Sequence, residues 1–344
     1  MKIAVVNNAA PFQRGGAESL ADALVHHLGR RGHDVELVRL PFNWSSPEAI
    51  IDSMIAARSI VIDGADRVIG LKFPAYLVPH HNKVLWLLHQ FRQVYDMWET
   101  PFGFQPGEPG DTLRRIITEV DNDCFAACRH IQCIAPTGCD RLARFNGVAS
   151  TVLHHPLTND ELLRNDSYDD YILALGRINA SKRQLLAIEA LAHTSSPVKL
   201  VVAGPPETPD DESVLRNTVH RLGLADRVVL RATFIDEREK ADLLAKSLAV
   251  AYLPIDEDSY GYVTIEAMTS HKAVVTVTDS GGLLEVVKPG LTGFVCEPTA
   301  PALAAAFDQL FGDRRLAQRL GTGARTAVDE LQLSWDRVVE VLTS

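Results

Sequence analysis

The stretch Pro254–Glu285, P-I-D-E-D-S-Y-G-Y-V-T-I-E-A-M-T-S-H-K-A-V-V-T-V-T-D-S-G-G-L-L-E, decides the fold of this chain. An apolar run, Leu248 to Leu253, leads into it and stops at the proline, which predicts a buried strand. Three acids, Asp256, Glu257 and Asp258, crowd the turn; Gly261 frees the backbone, and a helical pattern follows through Val263, Ile265, Ala267 and Met268. A second apolar run, Ala273 to Val277, leads into Asp279-Ser280-Gly281-Gly282 and another short helix. Two strand-loop-helix units in succession predict neighbouring parallel strands. Their loops then open on one edge of the sheet, where open α/β sheets bind ligands.

The spacing carries chemistry. Asp258 sits in the loop and Glu266 eight positions on, near the start of the helix. A carboxylate accepts through two oxygens, which suits the paired hydroxyls of a ribose or a hexose. Backbone amides at Gly261, Tyr262 and Val263, and at Gly281 and Gly282, are candidates to hold phosphate or sugar oxygens. An acidic turn is also what a solvated helix cap looks like, because Asp and Glu belong in first turns.

The wording D-x7-E ending in E-A-M, followed by A-V-V-T-x-T-D-S-G-G-x-x-E-V-V-x-x-G-x-x-G-F-V, resembles the donor site of retaining GT-B glycosyltransferases, family 4 (glycosyl transferases group 1). The resemblance implies a nucleoside-diphosphate-sugar donor, with Glu257, Asp258, Tyr260, Gly261, Tyr262 and Val263 around it and Glu266 as the second acid. That family usually has Glu where this chain has Asp258. Asp is one methylene shorter, so Glu257 next door stays open as the residue in that role.

Composition bounds the rest. The 344 residues suit about two domains, 46% hydrophobic and 23% charged, with no low-complexity tract. A net charge of −10 argues against a nucleic-acid partner and gives no general pull toward anionic membranes. No apolar run approaches the roughly 20 residues that span a bilayer. The opening M-K-I-A-V-V-N reads as a first strand rather than a signal peptide, so the expected compartment is cytoplasmic. Cys124, Cys128, Cys133 and Cys139 are spaced C-x3-C-x4-C-x5-C, without the paired knuckles of a zinc site, and read as core packing.

The first half alternates strands and helices: a strand at Lys2–Asn7, a helix from about Ala17 to Arg31, and strands at Asp34–Leu40, Ile60–Asp63, Ala65–Leu71 and Val84–Leu88. A helix (Asp111–Arg129), a strand (Ile131–Ala135) and a helix (Thr137–Asn146) follow. Gly15-Gly16 at the mouth of the first helix offers amides for an anion, although such a pair is commonly just a turn. Its G-G-A-E wording also resembles the family, where that loop faces donor phosphates and acceptor. His89 ends the run K-V-L-W-L-L, well placed for a cleft. In the family a histidine in this half often touches the transferred sugar; a packed strand-end histidine is the alternative. The aromatic-rich segment Gln90–Gly110 predicts a functional loop that shapes the acceptor site.

Pro156–Tyr168 reads as the linker, which places the expected domains at 1–160 and 165–330. The second opens with I-L-A-L-G-R-I-N-A-S-K-R, where Gly176 ends the strand at Tyr171–Leu175 and Ser181 is the expected start of a helix. Arg177 and Lys182 flank that turn five positions apart, a fork and a point charge suited to a diphosphate. The pair resembles the family's G-R-x4-K. Strands at Lys199–Ala203 and Arg227–Leu230 follow; Thr233-Phe234-Ile235 stands where similar enzymes cover the nucleobase. Helices are expected at about Pro301–Phe311, Arg314–Asp329 and Ser334–Leu342. In GT-B folds the last helix (331–344) crosses back onto the first domain, here on Trp335, Val338, Val339 and Leu342.

The resulting expectation is two Rossmann-like doubly wound α/β domains facing across a cleft. The activity is hexose transfer from a nucleoside-diphosphate sugar to a glycan, lipid-linked or small-molecule acceptor, with retention implied by the resemblance. No cofactor and no metal is expected, because Arg177 and Lys182 supply the countercharge and no D-x-D pair stands beside them. Arg30, Arg31 and the aromatic loop mark where weak contact with an inner membrane face would fall. A non-catalytic nucleotide-sugar binder, an epimerase or a phosphorylase remains an alternative, since fold alone does not separate them.

Overall fold

The computed structural model describes residues 1–9 and 15–344. Residues 10–14, part of the loop read above between the first strand and the first helix, lie outside the described residues. The chain divides into two compact units, Met1–Thr158 with Leu333–Ser344, and Asn159–Gln332.

The first unit runs β1 (Lys2–Ala9), α1 (Gly16–Arg30), β2 (Asp34–Pro41), α2 (Pro47–Arg58), β3 (Arg67–Lys72), β4 (Lys83–His89), α3 (Gly110–Ala126), β5 (His130–Cys133), α4 (Pro136–Asn146) and β6 (Thr151–Val152). Its sheet is parallel throughout, in the order β2-β1-β3-β4-β5-β6. The second unit runs β7 (Tyr171–Leu175), α5 (Gln184–Leu191), β8 (Lys199–Ala203), α6 (Pro209–Arg221), β9 (Val228–Arg231), α7 (Glu237–Lys246), β10 (Ala249–Ala251), α8 (Tyr262–Thr269), β11 (Val274–Val277), β12 (Gly293–Cys296), α9 (Ala300–Gly312) and α10 (Arg314–Glu330). Its sheet is also parallel, in the order β12-β11-β10-β7-β8-β9. The last helix, α11 (Trp335–Thr343), belongs to the first unit.

Parallel sheets covered on both faces need apolar strands throughout, and β10 and β11 are buried at every position. Strand order reverses direction between β1 and β3 in the first sheet and between β7 and β10 in the second. At such a switch point the loops leave in opposite directions and open a crevice at the carboxyl ends of the strands. Helix starts are written locally: Ser46, Thr208, Asp236, Asp313 and Ser334 each accept a hydrogen bond from a first-turn amide of α2, α6, α7, α10 and α11. The apolar stripe of α11, Val338, Val339 and Leu342, is buried with Leu20, Leu24 and Leu28 of α1. Trp335 stacks on His27, 4.6 Å between centroids, and donates its indole N–H to the Leu157 carbonyl at 2.8 Å.

Several sequence expectations are corrected. Ile60–Asp63 is not a strand but a loop, with Ile60 and Ile62 packed beneath it and Asp63 at a turn before Gly64. The strand expected from Ala65 starts at Arg67, and α2 had gone unread although Ser46-Pro47 is a helix-start signal. The helix after β7 does not start at Ser181. Asn179 instead caps a 3-10 turn, Ala180–Lys182, its Oδ1 accepting from the Lys182 amide at 3.0 Å, and α5 begins beyond Arg183, whose φ is +53°. In Gln90–Gly110, Phe91 and Tyr95 are core residues, while Phe102 is 39% exposed.

Candidate functional site

Three loops meet at the switch point of the second unit, following β7, β10 and β11. Main-chain bonds stitch them together. The Ile255 amide donates to the Ser181 carbonyl at 2.8 Å, Asp256 to Asp279 at 2.8 Å, and Glu257 to Ser280 at 3.1 Å. Arg183 ties all three loops. Its guanidinium donates to the Leu253 and Pro254 carbonyls and forms a two-pronged pair with Asp279 at 2.6 and 3.0 Å. The glycine pair is required by close backbone approach. Gly281 has φ +65°, and a Cβ there would meet the Glu257 carbonyl oxygen at 2.5 Å; one on Gly282 would meet the Ser259 backbone at 2.7 Å.

Lys182 stands at the centre. Its Nζ donates to the Tyr252 hydroxyl at 3.0 Å and to Oε2 of Glu257, and the Tyr252 hydroxyl donates to the same Oε2 at 3.2 Å. Burial works against the ammonium, but the Tyr252 oxygen and the Glu257 carboxylate outweigh it and hold its pKa well above the lysine range. Lys182 is therefore a fixed cation, its side chain 23% exposed, on a sheet edge. Arg177 lies in the same loop with its side chain 36% exposed and faces Glu207 at 3.8 Å.

Glu266 projects from the first turns of α8 and is 8% exposed. Its Oε1 accepts from Nζ of Lys240 at 2.6 Å, a partner supplied by α7. Burial raises the carboxyl's pKa while Lys240 opposes the rise. Asp258 is partly buried in the acidic turn, as is Glu257. Tyr260 is fully buried, and Tyr262 and Val263 open α8 behind Gly261. Gly261, at φ +68°, packs against the Tyr252 ring, where a Cβ would come to 2.9 Å.

Two of the amides proposed from sequence are already engaged. The Gly282 amide donates to the Glu257 carbonyl at 2.8 Å, and the Gly261 amide to the Ser259 hydroxyl at 3.3 Å. The glycines bring the loops close, a use that spacing alone does not distinguish from phosphate binding. Thr233 and Phe234 follow β9, both exposed, Phe234 at 76%.

In the first unit, His89 ends β4 and its Nδ1–H donates to the Gln90 carbonyl at 2.6 Å. The Gly15 amide is taken up by Oε2 of Glu18 at 2.8 Å, so the N-terminus of α1 already holds an anion from its own chain. Sequence reading missed Tyr252, Arg183 and Lys240. Arg183 had a signal, a third cation in R-I-N-A-S-K-R; Tyr252 and Lys240 sit in an apolar run and on a charged helix face, where no local pattern sets them apart.

In an open α/β sheet the switch point is where ligands bind, and in the second unit it carries a fixed cation. Residues 159–327 match the model of the family glycosyl transferases group 1. The matched residues span nearly all of the second unit. The Dictyostelium discoideum alpha-1,3/1,6-mannosyltransferase ALG2 is 29% identical over 196 residues, covering 52% of this chain and 46% of that protein. The chain spans less than half the length of the curated relatives it matches. The sucrose-phosphate synthase structure from Thermosynechococcus elongatus aligns with a TM-score of 0.77 at 17% identity, over 99% of this chain and 97% of that one. The structure of Anabaena Alr3699/HepE in complex with UDP and glucose aligns with a TM-score of 0.76 at 17% identity, over 100% and 98%. These likenesses show the fold, the two Rossmann-like units of GT-B.

Proposed function

We propose that this chain is a glycosyltransferase that moves a hexose from a nucleoside-diphosphate sugar to a glycan, lipid-linked or small-molecule acceptor. The observation that carries the reading is Lys182, a cation fixed where three loops of the family-matched unit converge. In this reading the donor diphosphate lies against Lys182 and Arg177, with the first-turn amides of α8 at Tyr262 and Val263 on its oxygens. As the glycosidic bond breaks, negative charge grows on the leaving diphosphate and meets cations that need no reorganisation. Asp258 or Glu257 takes the sugar hydroxyls. Glu257 is held by Lys182 and Tyr252. Glu266, steadied by Lys240, takes the ribose. Thr233 and Phe234 cover the base.

The first unit holds the acceptor, with His89 toward the transferred sugar and Gly15-Gly16 toward the donor. For the latter, Glu18 has to release the Gly15 amide. The relatives support a hexose and a nucleoside diphosphate: one is named for mannosyl transfer, and the HepE structure contains UDP and glucose. Retention, independence from a divalent metal and a cytoplasmic location with weak membrane contact belong to the same reading. No helix among the described residues is long and apolar enough to cross a membrane.

The test is donor turnover by Lys182→Ala, with UDP, GDP and ADP sugars compared. A fall of less than about tenfold, under roughly 1.4 kcal/mol of barrier, overturns the phosphate assignment.

A further inference from the structure

At the amino ends of the strands in the first unit lies a cavity of about 550 Å³, lined among others by Arg58, Ile62, His80, Lys83 and Cys124. Lys83 begins β4 and His89 ends it, so six residues at about 3.3 Å each put roughly 20 Å between this cavity and the histidine considered above. The cavity is thus separate from the sheet edge at which the acceptor is placed.

Among its lining residues a lysine and a cysteine are in contact. Lys83 is 3% exposed and its ammonium donates to the Tyr76 and Val78 carbonyls, both at 3.1 Å, and to Sγ of Cys124 at 3.2 Å. Three protons thus meet three acceptors, the third being the sulfur. Cys124 also faces the Tyr76 carbonyl at 3.4 Å, to which it donates when it is a thiol. Cys128, one helical turn on, donates its S–H to the Cys124 carbonyl at 3.1 Å. A buried ammonium beside a sulfur that borders a cavity favours the thiolate, the reactive form of cysteine.

We propose that Cys124 is a covalent modification site, a thiolate that exchanges with small-molecule disulfides entering this cavity. Its sulfur attacks one sulfur of the incoming disulfide. The S–S bond breaks, the electron pair leaves with the other half as a free thiolate, and a mixed disulfide stays on Cys124. Cys124 is oxidised and the small disulfide is reduced. The charged groups around the sulfur are Lys83 from β4, Arg58 from α2, and Asp121 and Cys128 from α3. The neighbouring Cys128 lowers the thiol pKa first, burial opposes it, and Lys83 and Arg58 add to the fall. Cys296 serves as an internal reference, its thiol pushed by burial up to about 11.

The experiment treats the native chain with oxidised glutathione and maps adducts on all five cysteines by peptide mass. Cys124 is expected to react about tenfold faster than Cys296 or more, with a rate that half-saturates below the usual pH of 8.5 or so. Lys83→Met is expected to move that midpoint up. Cys124 protected until denaturation, or a wild-type midpoint at the unperturbed value, overturns the assignment without reference to Lys83→Met.

Discussion

The two sheets are wound alike and finished differently. In the second unit the loops at the carboxyl edge are bound to one another by main-chain bonds, the Arg183 fork and two glycines at backbone contact. In the first unit that edge is built from side chains. Phe73 and Phe91 pack with Phe42, and Phe104 with Phe91; deeper in the unit, the buried Asp121 of α3 accepts from the hydroxyls of Tyr76 and Tyr95 at 2.9 and 2.8 Å. The difference teaches that topology chooses where a ligand goes, while the loops choose what kind. Stitched backbone suits a ligand common to a family, such as a diphosphate; a side-chain edge varies with the acceptor.

Four substitutions test that contrast. Lys182→Ala should have the largest effect, a loss of about a hundredfold or more in donor turnover with melting little changed, because the cation acts where charge develops. Gly281→Ala should cost about 2–4 kcal/mol of stability, read by denaturant melts, since its Cβ meets backbone and its φ is positive. If it folds as well as the parent, the stitched-loop account fails.

Asp121 tests the side-chain packing of the first unit. Burial pushes its pKa up to about 8, with the two tyrosine hydroxyls pulling the other way. The folded state therefore holds a proton that the unfolded chain gives up near pH 4. The unfolded state binds fewer protons over that window, so stability should fall as pH rises from about 4 through 8. Asp121→Asn should flatten that slope in melting measured against pH. An unchanged slope would remove Asp121 as its source. The smallest effect is expected of Glu18→Ala, about 0.5–1 kcal/mol of stability from the lost cap. That variant should bind the donor no worse than the parent, since it clears the Gly15 amide; weaker donor binding would place Glu18 itself in the site.

Much of the fold was legible because its signals are local. The run A-V-V-T-V reads as a buried strand whatever surrounds it, and Ser334 three residues before Arg337 marks a helix start on its own. The α5 start was misread because Ser181 carries an ordinary cap signal, whereas the real start depends on Arg183 taking φ +53° to reach Leu253, Pro254 and Asp279. Phe91 and Tyr95 were read as loop aromatics for a ligand, yet packing on α3 draws both into the core. Lys182 was legible by its spacing from Arg177. Its partner Tyr252, seventy residues away, was not.

The amino-acid order alone fixed two alternating β-α series, an acidic turn before a helix and a pair of cations after a glycine, because periodicity and turn chemistry act over a few neighbours. Tertiary structure decided which amides are already bonded, which acid Lys182 holds and which helix supplies the partner of Glu266. Those outcomes depend on residues brought together across a sheet edge, and such pairings are settled by packing and charge at a distance no local pattern records.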